Sequence, residues 1–413
     1  MRGTRAFASR VILPMARMSP PAAPAVPPRR FPRGRLIALV VLACLVILWR
    51  PASAHVRAAS LLARFTDPDA HGLLADAVRH PVVASDFPLS AAGPRARLYR
   101  PSDVDLDRGG AHVPGVVVVH GVHWKGIDEP RLQRFATTIA ASGVAVLTPE
   151  IRELCDYRID PASIDTIGAS AQALSARLGG RPVGVMGLSF AGGLSLVAAT
   201  DPRYAPSFAF VVAVGAHDDL GRVLRFFTSN ESPRPDGTTL RLQAHDYGSV
   251  VLVYSHVEDF FAAADVPVAR DALRSWLHED FDVARARAEA LSPEAAARMK
   301  LVFQHSPALA PVLDAEVARL SPQLAAVSPS AHLADIRVPV FLLHGAGDRV
   351  IPSSETEWLA HDTPRAMLRA ALVSPAIEHV ELEGRPSLGD QLALVHFMGD
   401  VLDAADETAP ARR

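Results

Sequence analysis

From Pro81 onward, short apolar runs rich in β-branched residues alternate with Ala-rich amphipathic stretches, the pattern of strand-helix units in a mostly parallel sheet. The spacing predicts strands over Ala96 to Arg100, Val116 to His120, Val144 to Thr148, Val183 to Met186, Phe208 to Val214, Val340 to His344 and Leu368 to Val373. Between them, Arg131 to Ser142 and Pro161 to Leu178 read as helices with small or polar residues at their ends. Several strands are apolar throughout, as expected where both sheet faces are covered. The fold class is therefore α/β, an open, doubly wound, mostly parallel sheet.

The rhythm breaks once. From His217 to about Asp335 the alternation disappears and the composition turns helical, so 217–335 reads as an inserted helical cap, leaving 81–216 and 336–403 as the core. Phe226, Phe227, Phe260, Phe261, Trp276 and Phe303 recur in it at helix-compatible spacing and are expected to pack the insert onto the sheet rather than face a ligand. Residues 55–80 read as a linker with a helix, Leu392 to Leu402 as a terminal helix, and 404–413 as a disordered tail. No 20- to 50-residue repeat is visible.

A second departure lies at the N-terminus, where Leu36 to Trp49 are uninterruptedly apolar, preceded by Arg29, Arg30, Arg33 and Arg35 and followed by Arg50 and Pro51. The run is shorter than the roughly 20 residues of a spanning helix and near the length of a signal h-region, with Ala52-Ser53-Ala54 as a cleavage option. Tilt and snorkelling of Arg50 also admit a retained anchor, so 36–54 stands as transmembrane anchor or signal. Either way the arginine excess stays cytoplasmic and the body is expected outside. Residues 1–35 read as a basic, Pro-rich, disordered leader, with Met15 or Met18 as alternative starts. Cys44 gives only a loose lipoprotein box, because apolar residues continue past it, and Arg29-Arg30 only a loose twin-arginine signal.

Charge and composition narrow the partners. The chain is 49% hydrophobic and 21% charged, which excludes collagen, a wholly disordered polymer and a multi-span membrane protein. Nine of its 42 Lys and Arg precede residue 55, leaving 33 basic against 44 acidic groups in the body, a net of −11. Such a body matches neither nucleic acid nor anionic lipid, so membrane contact is expected only through the N-terminal segment. Two cysteines, Cys44 and Cys155, make neither a disulfide framework nor a zinc site.

The strongest chemical signal is Val183-Gly184-Val185-Met186-Gly187-Leu188-Ser189-Phe190-Ala191-Gly192-Gly193, a strand entering a Gly-x-Ser-x-Ala-Gly turn and then a helix through Thr200. A serine on so strained a turn needs small residues two positions away. The string resembles the nucleophile elbow of the α/β-hydrolase family, with Ala191 replacing the usual second glycine. Val338 to Pro352, containing His344-Gly345-Ala346-Gly347-Asp348, is similar to that family's penultimate strand and acid loop, which implies that Asp348 is the triad acid. The family order then implies a histidine after one more helix and strand. Glu355 to Leu368 and Leu368 to Val373 supply those elements, and His379 sits just beyond, although without a flanking glycine. His396, within the terminal helix, is the competitor, and Asp218 and Asp219 are the fallback acids.

The resemblance covers approximately residues 81 to 403 and implies an oxyanion hole from the backbone N–H groups of Phe190 and Val122, the latter in His120-Gly121-Val122-His123-Trp124. His120 reads as a structural brace, and a His120/His123 metal site lacks a third ligand. The resemblance thus implies a serine hydrolase, carboxylesterase-like, acting without cofactor or metal on a small-molecule acyl substrate through a Ser189-His379-Asp348 triad. Peptidase or acyltransferase chemistry on the same fold, or a non-catalytic envelope scaffold, are the alternatives. The insert is expected to set the pocket. Substrate identity and oligomeric state are not legible.

Overall fold

The computed structural model describes residues 33–67, 69–89, 93–106, 112–378, 381–382 and 387–409, with 33–48, 378 and 381–382 described by backbone alone. The chain divides into two compact units, Met1–Leu48 and Trp49–Arg413. Helix α1 spans Arg33–Thr66, and its part from Trp49 onward belongs to the second unit. No helix among the described residues is long and apolar enough to cross a membrane.

Eight strands build the main sheet: β1 (Val82–Asp86), β2 (Ala96–Pro101), β3 (Gly115–Val119), β4 (Ala145–Pro149), β5 (Val183–Leu188), β6 (Phe208–Val214), β9 (Val340–Gly345) and β10 (Leu368–Ser374). The intervening β7 (Glu231–Pro233) and β8 (Thr239–Arg241) pair as a small ribbon in the insert, and β11 (Ile377–Glu378) pairs with β12 (Glu381–Leu382). The sheet runs in the order β1-β2-β4-β3-β5-β6-β9-β10, with β2 antiparallel to β1 and β4 and every other pairing parallel. Seven of these eight strands follow the apolar runs. β1 has no such signal, because it is a largely exposed edge strand.

The alternation of side chains along each strand divides the interior in two. Val117, Val119, Leu147, Val185, Val211 and Leu342 face a core shared with Leu154 of the short α3 (Arg152–Cys155), with α4 (Pro161–Arg177) and with α5 (Phe190–Thr200). Val116, Val118, Val146, Met186, Val212 and Leu343 face the other core, closed by Ala54, Ala58 and Leu61 of α1, by α2 (Pro130–Ala141) and by α14 (Leu388–Asp406). β3 is buried on both faces, which is why it reads as an unbroken run of valines.

Between β6 and β9 the chain forms α6 (Leu220–Ser229), α7 (Tyr247–Ser255), α8 (Val257–Phe260), α9 (Val266–Leu277), α10 (Phe281–Ala288), α11 (Pro293–Phe303) and α12 (Ala310–Ala325). Their buried residues continue the α4/α5 core; Phe227, Phe260, Phe261, Trp276 and Phe303 pack in or against it, and Phe226 is fully buried beside Phe227. Trp276 lies flat on Phe303, with ring centres 4.2 Å apart. The terminal helix is longer than its apolar stretch implies: Ser387 caps it in a capping box with Asp390, and it runs to Asp406, past the expected start of the tail.

Candidate active site

The site begins where β5 ends. Ser189 N–H donates to the Val214 carbonyl at 2.7 Å, extending the ladder with β6 by one residue before the chain turns into α5. That turn puts Ser189 at φ 56, ψ −135, a conformation that L residues rarely adopt and that persists only where surrounding packing enforces it. Strand and helix cross so tightly that a Cβ on Gly187 would lie 2.3 Å from the Ala191 carbonyl oxygen and 2.6 Å from the Gly192 Cα. A Cβ on Gly192 would meet that of Ala216 at 2.7 Å. At the strand–helix crossing the positions that demand glycine are therefore 187 and 192, and Gly193 beside them faces the buried His217 ring, which a Cβ would approach to 2.3 Å. Ala191 is fully buried, its methyl accommodated in the α4/α5 core.

The loop after β3 closes on the serine from the other side. A Cβ on Gly121 would stand 3.1 Å from Ser189 Cβ and 3.8 Å from its Oγ, so this backbone is in van der Waals range of the hydroxyl-bearing side chain. Phe190 begins α5, where the first N–H groups have no intrahelical acceptor. Gly121, Val122, His123 and Ser189 line one cavity of about 370 Å³. The elements thus bring Ser189 and the loop of Val122 together.

His120 has both ring nitrogens engaged with backbone: Nδ1 donates to the Gly121 carbonyl at 2.7 Å and Nε2 accepts from Ile151 N–H at 3.0 Å. Complete burial pushes its pKa down to about 4, so it is a neutral brace and offers no lone pair to a metal. Cys155 approaches the same ring at 3.9 Å and is half-buried, with its thiol pushed up to about 12 by desolvation.

Asp348, fully buried in the loop after β9, accepts from the N–H groups of Val350 and Ile351 at 2.8 and 3.0 Å through one carboxylate oxygen. Its other oxygen lies 3.4 Å from His344 Nε2. That nitrogen donates to the Ile351 carbonyl at 2.8 Å while His344 Nδ1 meets the Thr356 hydroxyl at 2.6 Å, so His344 fixes the loop from within. His379 lies outside the described residues. Its competitor His396 is on α14, with its side chain 70% exposed and bonded to His55 of α1.

The fallback acids are committed elsewhere. Asp218 and Glu355 both hold Arg222: its Nη2 reaches Asp218 Oδ2 at 2.9 Å and its Nε reaches Glu355 Oε1 at 2.5 Å. Glu355 also accepts the backbone N–H groups of Asp218 and Asp219 at 2.9 and 3.0 Å. The network ties α6, the first helix of the insert, to α13 (Ser354–Asp362) of the core. Burial pushes the Asp218 carboxyl up to about 7 despite Arg222. His217, pushed down to about 4 by burial, donates from Nε2 to Val327 O at 3.0 Å and leaves Nδ1 without a partner. Sequence reasoning passed over Arg222 and Glu355; the four-residue spacing of Asp218 and Arg222 across the start of α6 was the available signal.

One expectation is corrected. No residue of 217–335 lines the cavity around Ser189. Its apolar wall comes from Leu62 and Phe65 of α1, Leu132 and Phe135 of α2, and Leu394 and Met398 of α14. The reason is the side of the sheet: the insert packs into the α4/α5 core, whereas Met186, Val214 and Leu343 open the cavity toward the α1/α2/α14 core. Beside the loop after β3 the insert instead supplies His278, stacked on Trp124 at 5.0 Å, and the Leu277 carbonyl, which accepts from Tyr157 Oη at 2.7 Å.

Neither a family model nor a curated protein matches the sequence. Among solved structures the chain is similar to a 2-hydroxy-6-oxo-6-phenylhexa-2,4-dienoate hydrolase from a Rhodococcus strain, at 14% identity over 71% of this chain and 90% of that one, with a TM-score of 0.36. It is similar also to Pyrococcus horikoshii acylaminoacyl peptidase, at 12% identity over 78% and 40% of the two chains and TM-score 0.43. A third is Porphyromonas gingivalis dipeptidyl peptidase 4, at 12% identity over 79% and 37% and TM-score 0.43. The fold itself is read from the molecule: with the antiparallel second strand, the order of the eight strands, the insertion after β6 and the strained serine between β5 and α5, this chain has the α/β-hydrolase fold.

Proposed function

We propose that the protein is a serine hydrolase that cleaves carboxylic esters of small-molecule acyl substrates through an acyl-enzyme. The observation that carries this reading is Ser189, held at φ 56 on the rim of a 370 Å³ cavity. A backbone outlier of this kind costs about 1–3 kcal/mol, and here it places a buried serine against the cavity at the head of a helix. In the proposed cycle His379 takes the Ser189 proton, and Oγ attacks the acyl carbonyl. The N–H groups of Phe190 and Val122 receive the oxyanion. His379, oriented by Asp348, then protonates the leaving alkoxide, and water repeats the sequence to release the acid.

The cavity supports an apolar acyl group. At roughly 30 Å³ for each water-sized group, its volume takes on the order of ten such groups, which fits an acyl chain of medium length. An ester is the proposed linkage because an alkoxide leaves more readily than an amine. The arginines around the apolar run support a body outside the cytoplasm, and the full burial of Ala54 and Ala58 supports a segment retained with the body rather than cleaved after Ala54. Protease added to intact cells should then digest the body.

A fluorophosphonate probe tests the chemistry. Labelling of the wild type that disappears in Ser189→Ala supports it, and folded wild type that does not label, with no turnover of short-chain aryl esters, would overturn it in favour of a scaffold.

A further inference from the structure

Outside the catalytic region, α1 and α14 bring together two imidazoles and a carboxylate that have no part in the hydrolase reading. His55 projects from α1 onto α14 at Gly399, where any Cβ would lie 2.7 Å from the ring, so the position admits the imidazole only because it is glycine. Nδ1 of His55 lies 2.7 Å from the Pro51 carbonyl one turn back and can reach it only as a donor. That bond fixes the tautomer and leaves Nε2 as a lone-pair nitrogen, aimed at α14. Nδ1 of His396 stands 2.9 Å from it, the two rings stacked with centres 5.2 Å apart. Asp400, one turn beyond His396, puts Oδ1 3.8 Å from His55 Nε2. One ligand atom from each of the three residues lies within 4.8 Å of the others.

We propose that His55, His396 and Asp400 form a binding site for a divalent transition-metal ion, Zn²⁺ being the best fit, which ties α1 to α14. In a tetrahedral site with bonds of about 2.0–2.1 Å, ligand atoms stand roughly 3.3 Å from each other. The observed 2.9 and 3.8 Å bracket that spacing, and rotation of exposed side chains covers the difference. In the absence of metal, a proton on His396 Nδ1 bridges to His55 Nε2; with the ion bound, His396 takes the other tautomer, its proton on Nε2 and its Nδ1 lone pair on the metal. Two imidazoles and one carboxylate suit Zn²⁺, Co²⁺, Ni²⁺ or Cu²⁺ and disfavour Ca²⁺ or Mg²⁺, which take oxygen sets. A backbone carbonyl on the far nitrogen of a ligating histidine is the usual outer contact that orients such a ring. Water completes the coordination, because the His396 side chain is 70% exposed.

The other three-ligand group among the described residues, His256, Asp259 and Glu316, makes a contrast. Arg319 already occupies it, bonded to both Glu316 oxygens at 2.5 and 2.9 Å and to Asp259 at 2.7 Å, so a cation would have to displace a guanidinium. Among the described residues no guanidinium is bonded to His55, His396 or Asp400. The flanking pairs, Arg50 with Asp403 and Arg57 with Asp406, already align the two helices on either side of the group. Leu62 and Phe65 on α1, and Leu394 and Met398 on α14, wall the cavity, so the ion would brace that wall without touching it.

The test uses the full chain stripped with chelator and titrated with Zn²⁺ by calorimetry, and with Co²⁺ by visible absorption. One equivalent should bind, with the d–d bands of tetrahedral Co²⁺, and Zn²⁺ should raise the melting temperature. His396→Ala at an exposed position and the isosteric Asp400→Asn at a half-buried one, both expected to leave the fold intact by circular dichroism, should each weaken binding at least tenfold, while His256→Ala should not. Absence of saturable binding at one equivalent, binding unchanged in both α14 variants, or binding lost in His256→Ala would each overturn the assignment. None of these readouts depends on hydrolysis.

Discussion

Replacing Ser189 by alanine and by glycine separates the chemistry of the hydroxyl from the conformational cost of its backbone. Ser189→Ala removes Oγ but leaves a Cβ at φ 56, ψ −135; Ser189→Gly removes both. Relief of the strain returns about 2 kcal/mol, the middle of the range for such outliers. Against this, glycine loses more chain entropy on folding, about 0.5–1 kcal/mol. The missing Cβ also gives up part of the roughly 0.8 kcal/mol of a buried CH₂, only part because Ser189 borders the cavity. The balance leaves the glycine variant about 1 kcal/mol more stable than the alanine variant, although glycine is ordinarily the destabilising choice. Urea unfolding of the two proteins, compared at equal m-value, measures the difference directly. Both variants should be silent to the fluorophosphonate probe. If alanine proves as stable as glycine or more so, the backbone at 189 is not held under strain, and the elbow loses its value as a sign of a nucleophile.

Two further outcomes concern the site and its surroundings. Phe65→Ala, at a half-buried position of the cavity wall packed edge-on against Phe135, should favour longer acyl esters, raising the long-to-short ratio of kcat/KM at least tenfold in an ester panel; an unmoved profile would place the acyl group elsewhere. The Asp218 carboxyl, pushed up to about 7 in the fold from 3.8, binds a proton more readily folded than unfolded. Its contribution to stability is therefore fully present below about pH 3.8 and lost as the pH rises through about 7, with a slope of at most about 1.4 kcal/mol per pH unit. Asp218→Asn should flatten that decline between pH 5 and 8 in chemical unfolding, and an unchanged slope would assign the decline to other groups.

The parts of this molecule legible in the sequence are those whose signal is local. Fully buried strands such as Val116 to Val119 write both their faces into one apolar run, and a strand-serine-helix turn writes its crowding into Gly187 and Gly192. The exposed edge strand Val82–Asp86 carries no apolar pattern, and its pairing with Arg97 to Pro101 is a tertiary fact. The Asp218-Arg222-Glu355 network is half visible: Asp218 and Arg222 are four residues apart across the start of α6, but Glu355 joins from 133 residues away. Glycines mislead in the same manner. The small-residue requirement that the motif places at 191 falls at 192, because what decides it is the approach of β6 through Ala213 and Ala216.

The cavity wall is the least legible feature, because which core a segment joins is decided by the side of the sheet on which it lands. The insert leaves the sheet after β6 and buries its aromatic residues with α4 and α5, so its size gives it no share in the cavity beside Ser189. The residues that do share in it, Leu62, Phe65 and Thr66, lie on the same helix as Ala54, Ala58 and Leu61, which are fully buried between α14 and the sheet-facing core. From Trp49 onward this helix is therefore part of the fold of the second unit. Substitutions at Leu62 or Phe65 should therefore change substrate selection, while changes to exposed insert positions such as Val312 should leave it unmoved.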